Sequence, residues 1–173
     1  MLASVKFFER QCPFGHVYPC SLHDIKSCLA RLPKQDLNGL WSVGLVPATR
    51  KDGETDGRYY FGIQPTIHLF SYPDTLCFRL RAQTKLSEIE RGLAVQLQYG
   101  MVLEQQGSRY VCVWSAEHLQ RFVMEYVLLH EVGHHVYFWR RQQQGHAYRP
   151  NIANAEQFAE DYARRWRDDP HNS

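Results

Sequence analysis

The chain has 173 residues, 44% of them apolar and 13% aromatic, and 20 basic against 18 acidic residues leave a formal charge of +2. That length suits one domain around one hydrophobic core, and the aromatic content excludes intrinsic disorder. The near-neutral balance argues against a strongly electropositive nucleic-acid protein, and no apolar run approaches the ~20 residues that a membrane span needs.

The opening residues carry Lys6, Glu9 and Arg10, too early for the apolar region of a secretory signal. A cytoplasmic protein with no membrane partner is therefore expected. The five cysteines form no C-x-x-C pair and are expected as reduced thiols. Cys12, His16, Cys20 and His23 offer four zinc-compatible donors within twelve residues. Their spacing fits no zinc finger, and Pro13, Gly15 and Pro19 read as an irregular loop. Ser21 and Asp24 resemble a capping box with Asp in place of Glu. Ile25, Cys28, Leu29 and Leu32 follow at helical spacing until Pro33 stops the helix. A strand is expected over residues 40–46, and a charged, solvated loop over residues 50–57.

Residues 59–63, 66–71 and 76–81 are short aromatic or β-branched runs bounded by Pro or Gly, and read as strands. Residues 86–98 are ambiguous: 87–90 looks like a helix start, while 94–98 alternates like a strand. Residues 101–106 and 109–114 flank Gly107-Ser108 as a β-hairpin. The last sixty or so residues carry an almost purely helical pattern. Strands first and helices last argue an α+β fold, with a helix and strand over 1–50, a sheet over 58–114 and two helices over 115–168.

The chemistry concentrates in residues 115–135, which contain His130-Glu131-Val132-Gly133-His134. Ser115 can cap this helix and Gly145 lies just past its end. Leu119, Val123, Tyr126, His130, His134 and Phe138 fall near one stripe. The two imidazoles are then one turn apart, about 6 Å in axial rise, and can converge on one cation. Zinc takes neutral imidazole nitrogens at about 2.0–2.1 Å, and a catalytic site keeps a fourth position for water. Glu131 is rotated about 100° from His130, which places its carboxylate within reach of that water rather than of the metal. It suits a general base that later returns the proton to a leaving amine. Gly133 leaves room for a substrate backbone or a neighbouring helix. A second helix, capped by Asn151 or Asn154, has Ala155, Ala159, Tyr162 and Trp166 as its packing stripe. Glu156, above the small residues Ala159 and Ala163, is a natural third ligand through oxygen. Glu160, one turn later, is placed to orient a ligand imidazole. Taken singly, either glutamate equally suits a solvated helix face.

HEVGH with a downstream E-x-x-A-E-D-x-A resembles the gluzincin group of zinc metallopeptidases, and is most similar to small members such as minigluzincins and ImmA/IrrE-type peptidases. The likeness covers residues 127–163. It implies one zinc ion held by His130, His134 and Glu156, with Glu131 as catalytic base acting on a metal-activated water. It also implies a zincin-like α+β fold, in which an N-terminal helix and a small twisted, mostly antiparallel sheet pack on the two ligand-bearing helices. Glu160 stands where the family often has Asp.

Other HExxH groups divide on the same residues. The metzincin pattern requires Gly and His where this chain has Tyr137 and Arg140, so that class is excluded. SprT-like proteases of DNA–protein crosslinks use a further histidine, for which His146 is a candidate and so an alternative third ligand to Glu156. His146, Tyr148 and Tyr162 are also candidate donors to an oxyanion. His135 is expected off the ligand face. An extended peptide or protein substrate would add to a sheet edge, with residues 66–71 and 109–114 as the candidate edges. Besides a zinc metallopeptidase, the residues fit a non-catalytic zinc-stabilised interaction module. Arg140-Arg141 and Arg164-Arg165 keep a crosslink protease in view, although the overall charge argues against direct nucleic-acid binding. Two His and one Glu also suit divalent ions other than zinc.

Overall fold

The computed structural model describes residues 5–49, 56–80, 85–145 and 151–167. Its order is β1 (Lys6–Glu9), β2 (His16–Val17), α1 (Leu22–Ala30), a 3-10 turn (Lys34–Leu37), β3 (Ser42–Val46), β4 (Gly57–Tyr60), β5 (Thr66–Phe70), β6 (Tyr72–Pro73) and β7 (Cys77–Arg79). Then follow α2 (Leu86–Gly92), α3 (Ala94–Gln98), β8 (Val102–Gln106), β9 (Arg109–Val113), α4 (Ala116–Phe122), a π turn (Val123–Val127), α5 (Leu128–Gln143) and α6 (Ile152–Arg167). The architecture is a mixed α+β fold with small sheets, and among the described residues no helix is long and apolar enough to cross a membrane.

Local chemistry explains most boundaries. At the start of α1, Ser21 Oγ accepts from the Asp24 amide at 3.2 Å and the Asp24 carboxylate accepts from the Ser21 amide at 2.8 Å, closing the capping box. Ser115 Oγ accepts from the His118 amide at 3.2 Å and starts α4. Gly107 takes φ 64° in the turn that joins β8 to β9, a conformation that a Cβ would strain. Residues 94–98 are helical rather than extended. Their alternation served both periods over so short a run, and Val95 and Leu97 pack against the core from a helix instead. Of the loop expected over residues 50–57, Asp56 and Gly57 are not solvated: the Phe70 amide donates to the Asp56 carbonyl at 3.1 Å and Gly57 is a buried residue of β4. Residues 50–55 lie outside the described residues.

The main sheet has the order β1-β3-β5-β4, with β1, β3 and β5 parallel and β4 antiparallel to β5. It is therefore mixed rather than mostly antiparallel, and two of its strands come from the first fifty residues rather than from 58–114. Parallel neighbours need a crossover, which α1 supplies between β1 and β3. The antiparallel pairings β7-β9 and β9-β8 form a separate three-stranded sheet, and β2 pairs with β6. Both expected substrate edges are interior strands: β5 lies between β3 and β4, and β9 between β7 and β8. Edge position depends on which distant strands pair, and local composition does not carry it.

One face of the main sheet, including Val43, Leu45, Ile67 and Leu69, is closed by Leu119, Val123, Leu128 and Val132 of the long C-terminal helical segment and by Ile25 and Leu29 of α1. The π turn admits one extra residue into that segment and changes which side chains face the core. Leu119 and Val123 are fully buried, whereas Tyr126, His130, His134 and Phe138 of the same expected stripe are partly buried along a cleft.

Gly133 fits against α6. A Cβ built on it would stand 2.7 Å from Ala159 Cα and 3.0 Å from Tyr162 Cβ, so of its two expected uses the neighbouring helix is the one found. Gly133→Ala should therefore destabilise the protein by about 1–3 kcal/mol from overpacking, more than the ~1 kcal/mol that alanine adds in helix propensity. Urea unfolding measures it, and an unchanged or higher midpoint would contradict the close contact.

Candidate metal centre

Three elements meet at the centre: α5 carries His130, Glu131 and His134, α6 carries Glu156, and the edge strand β4 runs alongside. The Asn154 amide donates to Asn151 Oδ1 at 3.3 Å, so of the two candidate caps Asn151 starts α6 and sets the phase in which Glu156 leaves it. Ala155, Ala159 and Ala163 are all buried, and with Gly133 they let α6 approach α5 closely enough for the Glu156 carboxylate to reach the imidazoles.

The His130 and His134 Nε2 atoms face each other at 3.1 Å, with Glu156 Oε2 3.4 Å from the first and Glu156 Oε1 3.5 Å from the second. One ligand atom from each of the three side chains lies within 4.8 Å of the others, close enough for a single cation to be held among them. Among the described residues these three form the group of His, Cys, Asp and Glu side chains that could hold a metal ion. Cys12, His16, Cys20 and His23 are not gathered in this way. His16 Nδ1 lies 3.2 Å from Ser71 Oγ and Cys20 is buried in the core, where burial pushes its thiol up to about 12.

The protonation states suit a cation. Burial lowers His130 from the ordinary histidine value, against the opposing charges of Glu156 and Glu160. Burial and then the neighbouring His130 lower His134 to about 4. Both rings are therefore neutral near pH 7, the form that donates a lone pair to metal. The Glu156 side chain is 54% exposed and faces the cleft.

Glu131 lies on the β4 side of the same cleft, 7% exposed, and accepts from the Tyr59 backbone amide on β4. Burial pushes its carboxyl up to about 8, beyond what that amide offsets, and the negative Glu156 adds to the rise. Gly57 makes the approach possible: a Cβ there would lie 2.7 Å from Val127 Cγ1 and 3.3 Å from Glu131 Cγ. The cavity in front of these groups has a volume of about 520 Å³ and its walls include Tyr59, Phe61, Tyr126, Phe138 and Ile152.

The remaining expected site residues fall elsewhere. Glu160 accepts from the Tyr126 hydroxyl at 3.2 Å rather than from a ligand ring, while Tyr126 lies against His130 with ring centroids 5.6 Å apart. His130 Nδ1 is buried without a hydrogen-bond partner. Tyr162 does not line the cavity. It is buried away from the cleft, and its hydroxyl donates to Asp36 Oδ2 at 3.0 Å. His146 and Tyr148 lie outside the described residues. His135 is off the ligand face, with 0% exposure, and its Nε2 donates to the Asn38 carbonyl at 3.0 Å. Arg140 pairs with Asp36 at 3.3 Å and Arg164 with Asp161 at 3.4 Å. What sequence reasoning missed is β4: residues 59–63 read as a strand, but nothing in their pattern marked them as the edge beside Glu131.

Compared with known protein families, curated proteins and solved structures, the chain matches none.

The raised value of Glu131 has a sign that can be tested. A carboxyl ordinarily near 4.5 but near 8 in the fold takes up a proton on folding, so its contribution is favourable below that window and is lost as pH rises through it. In metal-free protein, Glu131→Gln should melt close to wild type at pH 5 and several degrees higher at pH 8, at roughly 2–4 °C per kcal/mol. Calorimetry in chelator reads the difference, in which the histidine contributions cancel. A gap that shrinks with rising pH would overturn the assignment of burial as the cause.

Proposed function

We propose that the protein is a zinc-dependent metallopeptidase that hydrolyses peptide bonds in a peptide or protein laid along β4. The observation that carries this reading is the meeting of two neutral imidazoles and one exposed carboxylate within 4.8 Å of one another, with a buried carboxyl beside them on the same cleft. The donor set fits zinc: two nitrogens and one oxygen from three residues are a catalytic rather than a closed structural complement. When bound, the ion supplies Lewis-acid polarisation of a carbonyl and acidification of water.

The chain's own residues do the rest. His130, His134 and Glu156 would hold the ion. Glu131, whose ionised form a neighbouring cation favours, takes a proton from the attacking water and passes it to the leaving amine. Burial supports this role, because a carboxyl tuned upward from its ordinary value is a better proton carrier near neutral pH. Among the described residues β4 pairs with β5 alone, and an extended substrate would add along its other edge. Tyr59 offers that edge its backbone amide, now donated to Glu131.

Glu131→Gln should keep its zinc and lose hydrolysis by at least ~100-fold, the scale of a general base. Glu156→Ala should lose the metal itself. Elemental analysis beside a peptide-hydrolysis assay separates the two. Full zinc in Glu156→Ala would remove the third ligand from this reading, and retained turnover in Glu131→Gln would remove the base.

A further inference from the structure

The segment just before β3 holds both ligand-bearing helices from behind. Asp36, in the 3-10 turn, is 6% exposed and carries two ties. Tyr162 of α6 donates its hydroxyl to Oδ2 at 3.0 Å, and Arg140 of α5 donates to Oδ1 at 3.3 Å. Two more contacts follow within three residues: the Asn38 carbonyl accepts from His135 of α5, and a Cβ on Gly39 would run into the Trp139 indole. Leu37 and Leu40 anchor the segment in the core. Ties and ligands are offset alike on the two helices. Arg140 follows His134 by six residues and Tyr162 follows Glu156 by six, about 240° around the axis at ~100° per residue. The turn therefore fixes the rotation of each helix from a side that its ligands do not use.

Resting on the metal centre of the reading above, though not on hydrolysis, we propose that Asp36 is a positioning residue for the bound cation. By joining Tyr162 to Arg140 it keeps the Glu156 carboxylate at His130 and His134, and so raises the affinity for zinc. The Glu156 side chain is 54% exposed, so water competes for its carboxylate and the phase of α6 decides how often it meets the imidazoles. An arginine-paired carboxylate makes that tie stiff, because it accepts stronger hydrogen bonds than a neutral group does. Its burial adds to the stiffness, since a buried carboxylate deprived of a partner is left with an unmet desolvation cost.

The test is zinc affinity, read by competition with a chromophoric chelator, in wild type, Asp36→Asn and Tyr162→Phe. Asp161→Asn is the control, because its ion pair with Arg164 stays within α6 on an exposed side. Asp36→Asn and Tyr162→Phe should each weaken zinc by about tenfold or more, the scale on which supports behind metal ligands act, while Asp161→Asn should not. Melting separates positioning from stability alone. A purely structural loss lowers Tm equally with zinc and in chelator. A site weakened tenfold instead narrows the gap between the two by about 3–6 °C, from about 1.4 kcal/mol at roughly 2–4 °C per kcal/mol. Tyr162→Phe removes a single oxygen and decides the matter if Asp36→Asn does not fold. Unchanged affinity and an unchanged gap in Tyr162→Phe, or an equal loss in Asp161→Asn, would overturn the role of Asp36 and leave the metal centre standing. A wild type that binds no zinc removes the centre, and the role of Asp36 with it.

Discussion

Everything about the candidate centre depends on how closely α6 lies on α5. At Gly133 a single methyl would already meet the Ala159 backbone, and the small residues Ala155, Ala159 and Ala163 continue the seam. That proximity brings a carboxylate from one helix within 3.4–3.5 Å of both imidazoles on the other. A larger residue at Gly133 would push the helices apart and leave the histidines facing solvent. Two further ties set the relative phase of the pair. Tyr162 of α6 donates to the buried Asp36, and Arg140 of α5 pairs with the same carboxylate, so the 3-10 turn acts as a shared anchor.

Burial and charge then divide the roles of chemically similar groups. Three glutamates stand near one another, yet Glu131 is buried and its carboxyl pushed up, while the Glu156 side chain stays largely exposed and Glu160 is engaged by Tyr126. Adjacent histidines diverge in the same way. His134 looks into the cleft, whereas His135 is sealed in the core, its ring held by the Asn38 carbonyl and the edge of Tyr59.

β4 links fold to site. It is the antiparallel member of an otherwise parallel sheet and lies at its edge. It is also the strand that α5 presses closest, through Gly57 at one end and the aromatic stack of Tyr59, Phe61 and Phe138 at the other. One element thus supplies a backbone edge, a hydrogen bond to Glu131 and an apolar wall.

The histidine pair was legible from the sequence because an i, i+4 spacing on a helix is a local property, and so were the caps of α1 and α4, each settled within four residues, whereas the cap of α6 was open between Asn151 and Asn154. The placement of Glu156 could be inferred from small residues at helical spacing. The role of Glu160 could not, since a hydroxyl from Tyr126, thirty-four residues away, competes for its carboxylate. Nor could Tyr162 be assigned, because its partner Asp36 lies 126 positions earlier in the chain. Strand identity was mostly readable, but strand order was not. Whether a strand is central or at the edge is decided by pairings between segments remote in sequence, whose register depends on the face each one buries. The residue types and their periodicity thus placed the two imidazoles on one face of their helix, one turn apart. Tertiary packing alone decided which edge lies open beside Glu131, because that outcome sums contacts no single segment contains.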